Sequence, residues 1–399
     1  MSSQSASSQL ASSQSSPTQT DGLSLSQVHS VQDRRRFVRM TLPLYEGDAA
    51  FVQPLDYEIL ARLNIKSNPL LADNDHQLWI VERGNEIVGR IAAIVNKTYN
   101  NHYNEKTGHF GYFEAIDDSA VIDLLLTTAR DWLFERGMTK MSGPYNFSVN
   151  EECGLLINGF DRSPAVMMPH GKTYYQNHIE NWGFEKASDM YALWYPARYG
   201  FMPERRQKFV DKLIANDRVE VRNFDFKIFR EEINTAVDIF NDAWADNWGF
   251  IPLSKQEANH MATDLRPIIT RYNTVMCLVD GEPAAMGIVL PNINEIIKDM
   301  KGRLLPLNWV KFLWHLKVKK VQTARMPLMG IRKKFQGKPL GAAFAYKIIE
   351  MVNNSSVDNG ITHAELSWIL ESNKPMITML EDIGGVIDKT YRIYEKQIG

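Results

Sequence analysis

The sequence predicts an α/β fold of the α+β type, in two similar halves behind a polar tail. Three observations carry that reading. Apolar runs of strand length alternate with longer runs of helical period. The same order of runs occurs twice along the chain. Residues 1–32 are rich in Ser and Gln and nearly free of large apolar side chains. Such a composition cannot bury enough surface to offset its ordering entropy, so it predicts a disordered segment.

In the first half, residues 33–198, His76–Val81 and Ile87–Val95 flank Gly84-Asn85 and read as a hairpin. Phe110–Phe113 is a third strand. Val121, Leu124, Leu125 and Trp132 mark one face of a helix. Met138–Tyr145 is a further strand, Tyr174–Trp182 a helix stopped by Gly183, and Tyr191–Tyr195 the closing strand. The second half, residues 199–399, repeats the order. Its hairpin is Thr274–Val279 and Ala284–Leu290 around Gly281, followed by the strand Arg325–Ile331 and a helix from Ala342 to Val352. The strand Thr362–Trp368, a helix Lys374–Ile383, Gly384-Gly385 and the strand Lys389–Tyr394 complete it. The join falls between Pro196 and Pro203.

Composition narrows the function. A chain of 399 residues with net charge −2 holds a sizeable core and exerts no global pull on nucleic acid or anionic lipid. The Arg34–Arg36 and Lys317–Lys320 runs are short and lack a nucleic-acid-binding signature. Cys153 and Cys277 stand far apart, which points away from a disulfide scaffold and toward a reducing cytoplasm. No apolar run reaches the roughly eighteen residues of a membrane-spanning helix. The histidines lack metal-ligand spacing, so no metal is expected.

The stretch Ile331–Gly341 carries the most chemistry. It links a strand to a helix through a basic, Gly-containing turn. Free N–H groups at a helix start, together with the helix dipole, make an anion site. Arg332, Lys333, Lys334 and Lys338 add positive charge, and Gly337 and Gly341 permit close backbone approach. A phosphate or pyrophosphate is the expected guest. The corresponding turn of the first half, Glu114–Ser119, has no glycine and three carboxylates. Asp117 and Asp118 suit a helix start but repel a phosphate.

Gln336-Gly337-Lys338-Pro339-Leu340-Gly341 resembles the acyl-CoA loop of the GNAT (Gcn5-related N-acetyltransferase) superfamily, Gln/Arg-x-x-Gly-x-Gly/Ala. The first and last positions match. The fourth is Pro339, which lacks an N–H but suits the first turn of a helix. The downstream order is also similar to that superfamily: strand, Asn-containing turn at Glu371-Ser-Asn373, helix, Gly-Gly turn, Tyr-bearing strand. The resemblance implies a tandem arrangement in which only the second half keeps the cofactor site. It implies acetyl-CoA or a longer acyl-CoA as donor and an amine as acceptor. Met329, Gly330 and Ile331 then bond the pantetheine arm. Arg332, Lys333, Gln336, Gly337, Lys338, Leu340, Gly341 and Asn373 surround the rest of the cofactor.

An amine is protonated at neutral pH and must lose a proton before it attacks a thioester. Glu365, on the strand after the CoA helix, and Glu371, near Asn373, are the candidate bases; a helix cap or salt bridge is the other reading of Glu371. Tyr391 and Tyr394 are candidates for protonating the leaving thiolate, or for ordinary strand packing. In the first half, Asn146, Ser148, Asn150 and Glu151 either bind a polar head group or amine, or make local turns. Cys153 reads as a packed residue rather than a nucleophile.

Residues 291–321 form an insertion. At 100° per residue Leu305, Trp309, Phe312, Leu313 and Leu316 share one face, opposite Asn308, Lys311, His315 and Lys319. Three readings stay open for 304–320: packing on its own domain, lying on a membrane surface, or covering an acyl channel. The second reading places the protein at the inner face of a membrane. The insertion and the aromatic content favour a long-chain or lipid-like donor or acceptor over a small-molecule acetyl transfer. A non-catalytic binding module is the remaining reading.

Overall fold

A computed structural model describes residues 22–399 apart from 316, 317 and 319, and not the side chains of 261, 264 and 265. Among the described residues thirteen strands form one sheet. They are β1 Leu23–Gln27, β2 Asp75–Arg83, β3 Glu86–Val95, β4 Thr107–Ala115, β5 Lys140–Gly143, β6 Leu155–Asn158, β7 Glu185–Pro196, β8 Val219–Arg222, β9 Thr274–Val279, β10 Glu282–Pro291, β11 Thr323–Ile331, β12 His363–Leu370 and β13 Val386–Gln397. Their order is β1-β2-β3-β4-β5-β13-β7-β12-β11-β10-β9-β8, with β6 pairing β13 off this path.

The two expected hairpins are present. Gly84 turns β2 into β3 at φ +62°, and Asp280-Gly281 turns β9 into β10 with both residues at positive φ, the geometry tight hairpins need. In each half the fourth and fifth strands pair in parallel, β4 with β5 and β11 with β12. The helices Ser119–Phe134 and Pro339–Asp358 make these connections. Each buries its apolar face on its own half's sheet, through Leu125, Leu126 and Leu133 in the first and Phe344, Ile348 and Ile349 in the second.

Two sequence expectations change. Disorder does not extend through residue 32. Leu23–Gln27 pairs antiparallel with β2, Leu23 is buried, and Ser30 caps the helix Val31–Arg39 through a capping box with Asp33. Two alternating leucines are enough to complete a sheet edge, although the surrounding composition is polar; residues 1–21 lie outside the described residues. The boundary near 198 separates two sequence halves but not two sheets. The closing strands have changed places: β13 pairs with β5 of the first half, and β7 pairs with β12 of the second.

Candidate active site

β11 and β12 pair in parallel only from Thr323↔His363 to Met326↔Leu366. Beyond Met326 they diverge around Pro327 and leave a groove of about 870 Å³. Met329, Ile331, Gln336, Gly337, Lys338, Gly341 and Asn373 line it. Gly330 faces the opposite side, where a Cβ would lie 3.2 Å from Ile239.

The basic turn divides its labour. Arg332 Nε donates to the Pro283 carbonyl at 2.8 Å. The Lys333 N–H donates to Asp242, and its ammonium pairs with Asp246 at 2.6 Å. The Gln336 amide donates to the carbonyls of Ala243 and Ile331. These three residues therefore hold the turn in place. Gly337 sits at φ +69°, and a Cβ on Gly341 would meet the Phe335 carbonyl oxygen at 2.2 Å, so the turn lies against the helix start. Lys338 is the N-cap, without a side-chain cap bond, and Pro339 opens the helix. The first-turn N–H groups of Leu340 and Gly341 precede the first helical bond, Ala342 N–H to Lys338 C=O. Lys334 and Lys338 are exposed beside them. The turn fits an anionic, extended ligand. Asn373 caps the helix Lys374–Asp382 and accepts from the Met376 N–H.

Where the strands part, Arg325 is buried. Its Nε donates to Ser367 Oγ at 2.9 Å, and its terminal nitrogens donate to the carbonyls of Val166, Met167 and Ser367. Ser367 Oγ in turn donates to Glu365 Oε1 at 2.6 Å. Glu365 is almost wholly buried. Burial pushes its carboxyl up, against the pull of the Arg325 guanidinium. It is Ser367, not Glu365, that lines the groove.

The other predicted site residues scatter. Glu371 accepts from the Asp189 N–H and pairs with Lys186 at 2.7 Å, a surface clasp between β7 and the end of β12. Tyr394 lies in the first half's core and donates to Glu180 at 2.9 Å, because β13 is inserted there. Tyr391 is fully buried and its hydroxyl has no partner. Asn146 bridges the Tyr112 N–H and Glu152, and Ser148 Oγ accepts from the Asn150 N–H. Cys153 is buried, and burial pushes its thiol up to about 12, which leaves it inert.

Asn150 and Glu151 border a second, apolar cavity of about 120 Å³. Its wall includes Ala236, Val237 and Phe240 from the helix Phe229–Trp244, and Met286 and Leu290 from β10. It adjoins the groove, since Trp244, Pro327 and Trp368 line both. The Trp244 and Trp368 rings meet edge-on there, with centroids 5.6 Å apart. Glu151 Oε2 is buried without a partner. Burial pushes the carboxyl up to about 7, against Arg62 and with the help of Glu152. Sequence reading missed Arg325, Ser367 and this cavity. The spacing Ile233, Ala236, Val237, Phe240, Trp244 was its available signal, an apolar face with a small residue in the middle.

Asp118 caps the helix Ser119–Phe134 and pairs with Arg83, while Asp117 meets His178. In the insertion, the helix Asn308–Trp314 does not present the predicted face as one surface. Phe312 packs on the core, whereas Leu305, Leu307, Trp309, Val310, Leu313, Trp314 and Val318 are exposed. Leu316, Lys317 and Lys319 lie outside the described residues. Among the described residues no helix is long and apolar enough to cross a membrane.

No protein-family model matches the chain. It is 39% identical over 378 residues to the "Bacterial ceramide synthase" of Caulobacter vibrioides, covering 94% of this chain and 98% of that protein. It is also 39% identical over 369 residues to "Protein YghO" of Escherichia coli, covering 92% and 93%. Among solved structures, a tandem GNAT protein from the clavulanic acid biosynthesis pathway superposes with a TM-score of 0.54 at 10% identity, over 94% of this chain and 99% of that one. A GCN5-related N-acetyltransferase from Sphaerobacter thermophilus gives 0.55 at 11% identity, over 96% and 97%. The chain has the tandem GNAT fold and belongs to the family that includes the bacterial ceramide synthase of Caulobacter vibrioides and protein YghO of Escherichia coli.

Proposed function

We propose that the protein is an N-acyltransferase that moves an acyl chain longer than acetyl from CoA to the amine of a long-chain amino alcohol. The observation that carries this reading is the apolar cavity opening off the groove at Trp244, Pro327 and Trp368. At about 120 Å³ it is comparable with the roughly 150 Å³ dry cavity that accommodates benzene, so it takes an alkyl segment. An acetyl donor needs no such space. A relative named for ceramide synthesis supports the same substrate class, because a ceramide is the amide of a fatty acid and a long-chain amino alcohol.

In this reading the CoA phosphates lie at the Leu340 and Gly341 N–H groups beside Lys334 and Lys338. The pantetheine arm runs along Met329–Ile331, and the thioester rests at the fork. Glu151 takes a proton from the acceptor, being half-buried, unpartnered at one oxygen and poised near neutrality. The amine nitrogen then bonds to the thioester carbon, the carbon–sulfur bond breaks, and Glu151 returns the proton to the thiolate. An acceptor that arrives as ammonium releases one further proton to water. Glu365 is a positioning residue, holding Ser367 and through it Arg325. Tyr391 is buried and lines neither the groove nor the cavity, and Tyr394 and Glu371 are engaged elsewhere.

Lipid-like substrates favour a place at a membrane. The exposed Trp309, Val310, Leu313 and Trp314, with Lys301, Arg303, Lys311 and Lys320 beside them, suit the surface of an anionic bilayer. The reading is tested by incubating the purified protein with octanoyl-CoA and sphinganine. Free thiol and an N-octanoyl amide should appear together by mass spectrometry. Thiol release without amide, or neither product with any acyl-CoA, contradicts the proposal.

A further inference from the structure

The first half keeps its own fork. β4 and β5 pair in parallel only from Thr107↔Lys140 to His109↔Ser142, then separate. In the second half the equivalent gap is the groove. In the first half Tyr145 and Asn146 cross it: a Cβ on Gly111 would clash with the Tyr145 carbonyl, and Asn146 Oδ1 accepts the Tyr112 N–H at 2.8 Å. Behind this bridge lies a separate cavity of about 120 Å³ between the halves.

Its lining is unlike that of a closed-off, vestigial site. Arg90, Tyr112 and His170 all border it, and each carries a buried polar atom without a partner: Nε, the hydroxyl and Nδ1. The side chains of Arg90 and His170 are 9% and 4% exposed, and Tyr112 is 4% exposed. Such atoms cost free energy when left alone and are seldom grouped by chance. Tyr112 also holds φ at +47°, a conformation bulky residues rarely adopt.

The three atoms specify a ligand. Arg90 donates one terminal nitrogen to the Phe37 carbonyl and points another at Glu114, 3.7 Å away, so its free Nε–H seeks an acceptor. His170 Nε2 faces Asp48 Oδ2 at 3.2 Å. Burial keeps the imidazole neutral, so the N–H belongs on Nε2 and Nδ1 is a bare acceptor seeking a donor. Tyr112 supplies either. Ligand hydroxyl groups can serve both, accepting from the one and donating to the other. Glu58, Glu114 and Glu152 line the cavity against Arg90, with Arg62 bridging Glu58 and Glu152. Glu58 and Glu152 are balanced by Arg62 and Arg90, and burial pushes the Glu114 carboxyl up while its Oε2 accepts from the Tyr45 and Tyr175 hydroxyls. The lining therefore carries no excess positive charge for a phosphate, and Glu114 Oε1, 3.7 Å from Arg90, can accept from an amine.

We propose that the fork of the first half is a second binding site, for a small amino alcohol, built from Arg90, Tyr112, His170 and Glu114. The site stands apart from acyl transfer, and its test needs no CoA ester. Serinol, 2-amino-1,3-propanediol, is titrated into the full-length protein by calorimetry, with ethylamine and inorganic phosphate as controls. Saturable binding is expected for serinol alone. Tyr112→Phe and His170→Gln should each weaken it about tenfold or more, the scale of one lost buried hydrogen bond. Tyr112→Phe removes only an unpartnered hydroxyl, so its melting temperature should not fall, which separates lost binding from lost fold. Ala236→Phe, at the other cavity, should leave serinol binding unchanged. No saturable binding of serinol, equal binding of ethylamine, or loss in Ala236→Phe with none in Tyr112→Phe overturns the proposal.

Discussion

Arg325 Nε donates to Ser367 Oγ at 2.9 Å, and this bond spans β11 and β12 at the point where they stop being paired neighbours. The same guanidinium holds the carbonyls of Val166 and Met167, so one side chain ties both halves of the chain to the fork. Ser367→Ala removes the acceptor of a buried, charged donor, at a cost of about 1–3 kcal/mol. Turnover should fall about tenfold or more while CoA affinity, set at the other end of the groove, changes less than about twofold. Parallel losses in both would show that the bond merely supports the sheet.

The pH dependence should follow Glu151. Its folded-state value is raised from 4.5 to about 7, so the folded protein keeps a proton that the unfolded chain has lost. That contribution to stability is complete below about 4.5 and disappears as pH rises through about 7. Glu151→Gln should therefore leave stability unchanged at pH 4 and raise it above pH 7, by at most roughly 3 kcal/mol. As a base, Glu151 must be deprotonated, so wild-type turnover should climb through about pH 7 and the variant should lose that limb. Melting curves and rate profiles on the same samples check both halves of this prediction.

At the cofactor turn, Gly341→Val places side-chain atoms where the Phe335 carbonyl already lies 2.2 Å from an added Cβ. CoA binding measured by calorimetry should be abolished. Lys338→Glu should weaken it without disturbing the fold, because that side chain is exposed. Asp118→Ala in the first half should cost helix-cap stability, about 1 kcal/mol, and leave CoA binding intact.

Trp309→Asp combined with Trp314→Asp should stay folded, since both rings are exposed, yet stop the protein sedimenting with anionic liposomes. High salt should weaken the wild-type association. Phe312→Ala should behave in the opposite way, lowering stability on the order of 2 kcal/mol through lost core packing. Indifference of the wild type to liposomes would remove the membrane reading.

Local chemistry made much of this architecture readable from sequence. The Gly-marked hairpins, the helix containing Leu125 and the turn at Gly337 are each specified by residues a few positions apart. What escaped is non-local. No pattern within Lys389–Tyr394 tells that its strand crosses into the other half and carries Tyr394 to Glu180. Arg325 looked like one polar residue at the start of a strand; only folding brings Ser367 and Val166 to it. Leu23 and Leu25 were hidden by the polar residues around them, because composition averages over a window longer than an edge strand.

The central claim, that the cavity beyond Trp244 and Trp368 receives the acyl chain, is tested most directly by donor selectivity before and after the cavity is filled. Ala236 is 4% exposed and lines it. Amide formation with sphinganine should be compared for acetyl-CoA and octanoyl-CoA in the wild type and in Ala236→Phe. The account predicts a wild-type preference for octanoyl-CoA of about tenfold or more in kcat/KM, reduced or reversed in the variant while acetyl transfer is spared. Equal use of both donors by the wild type, or an unchanged preference in Ala236→Phe, would contradict it.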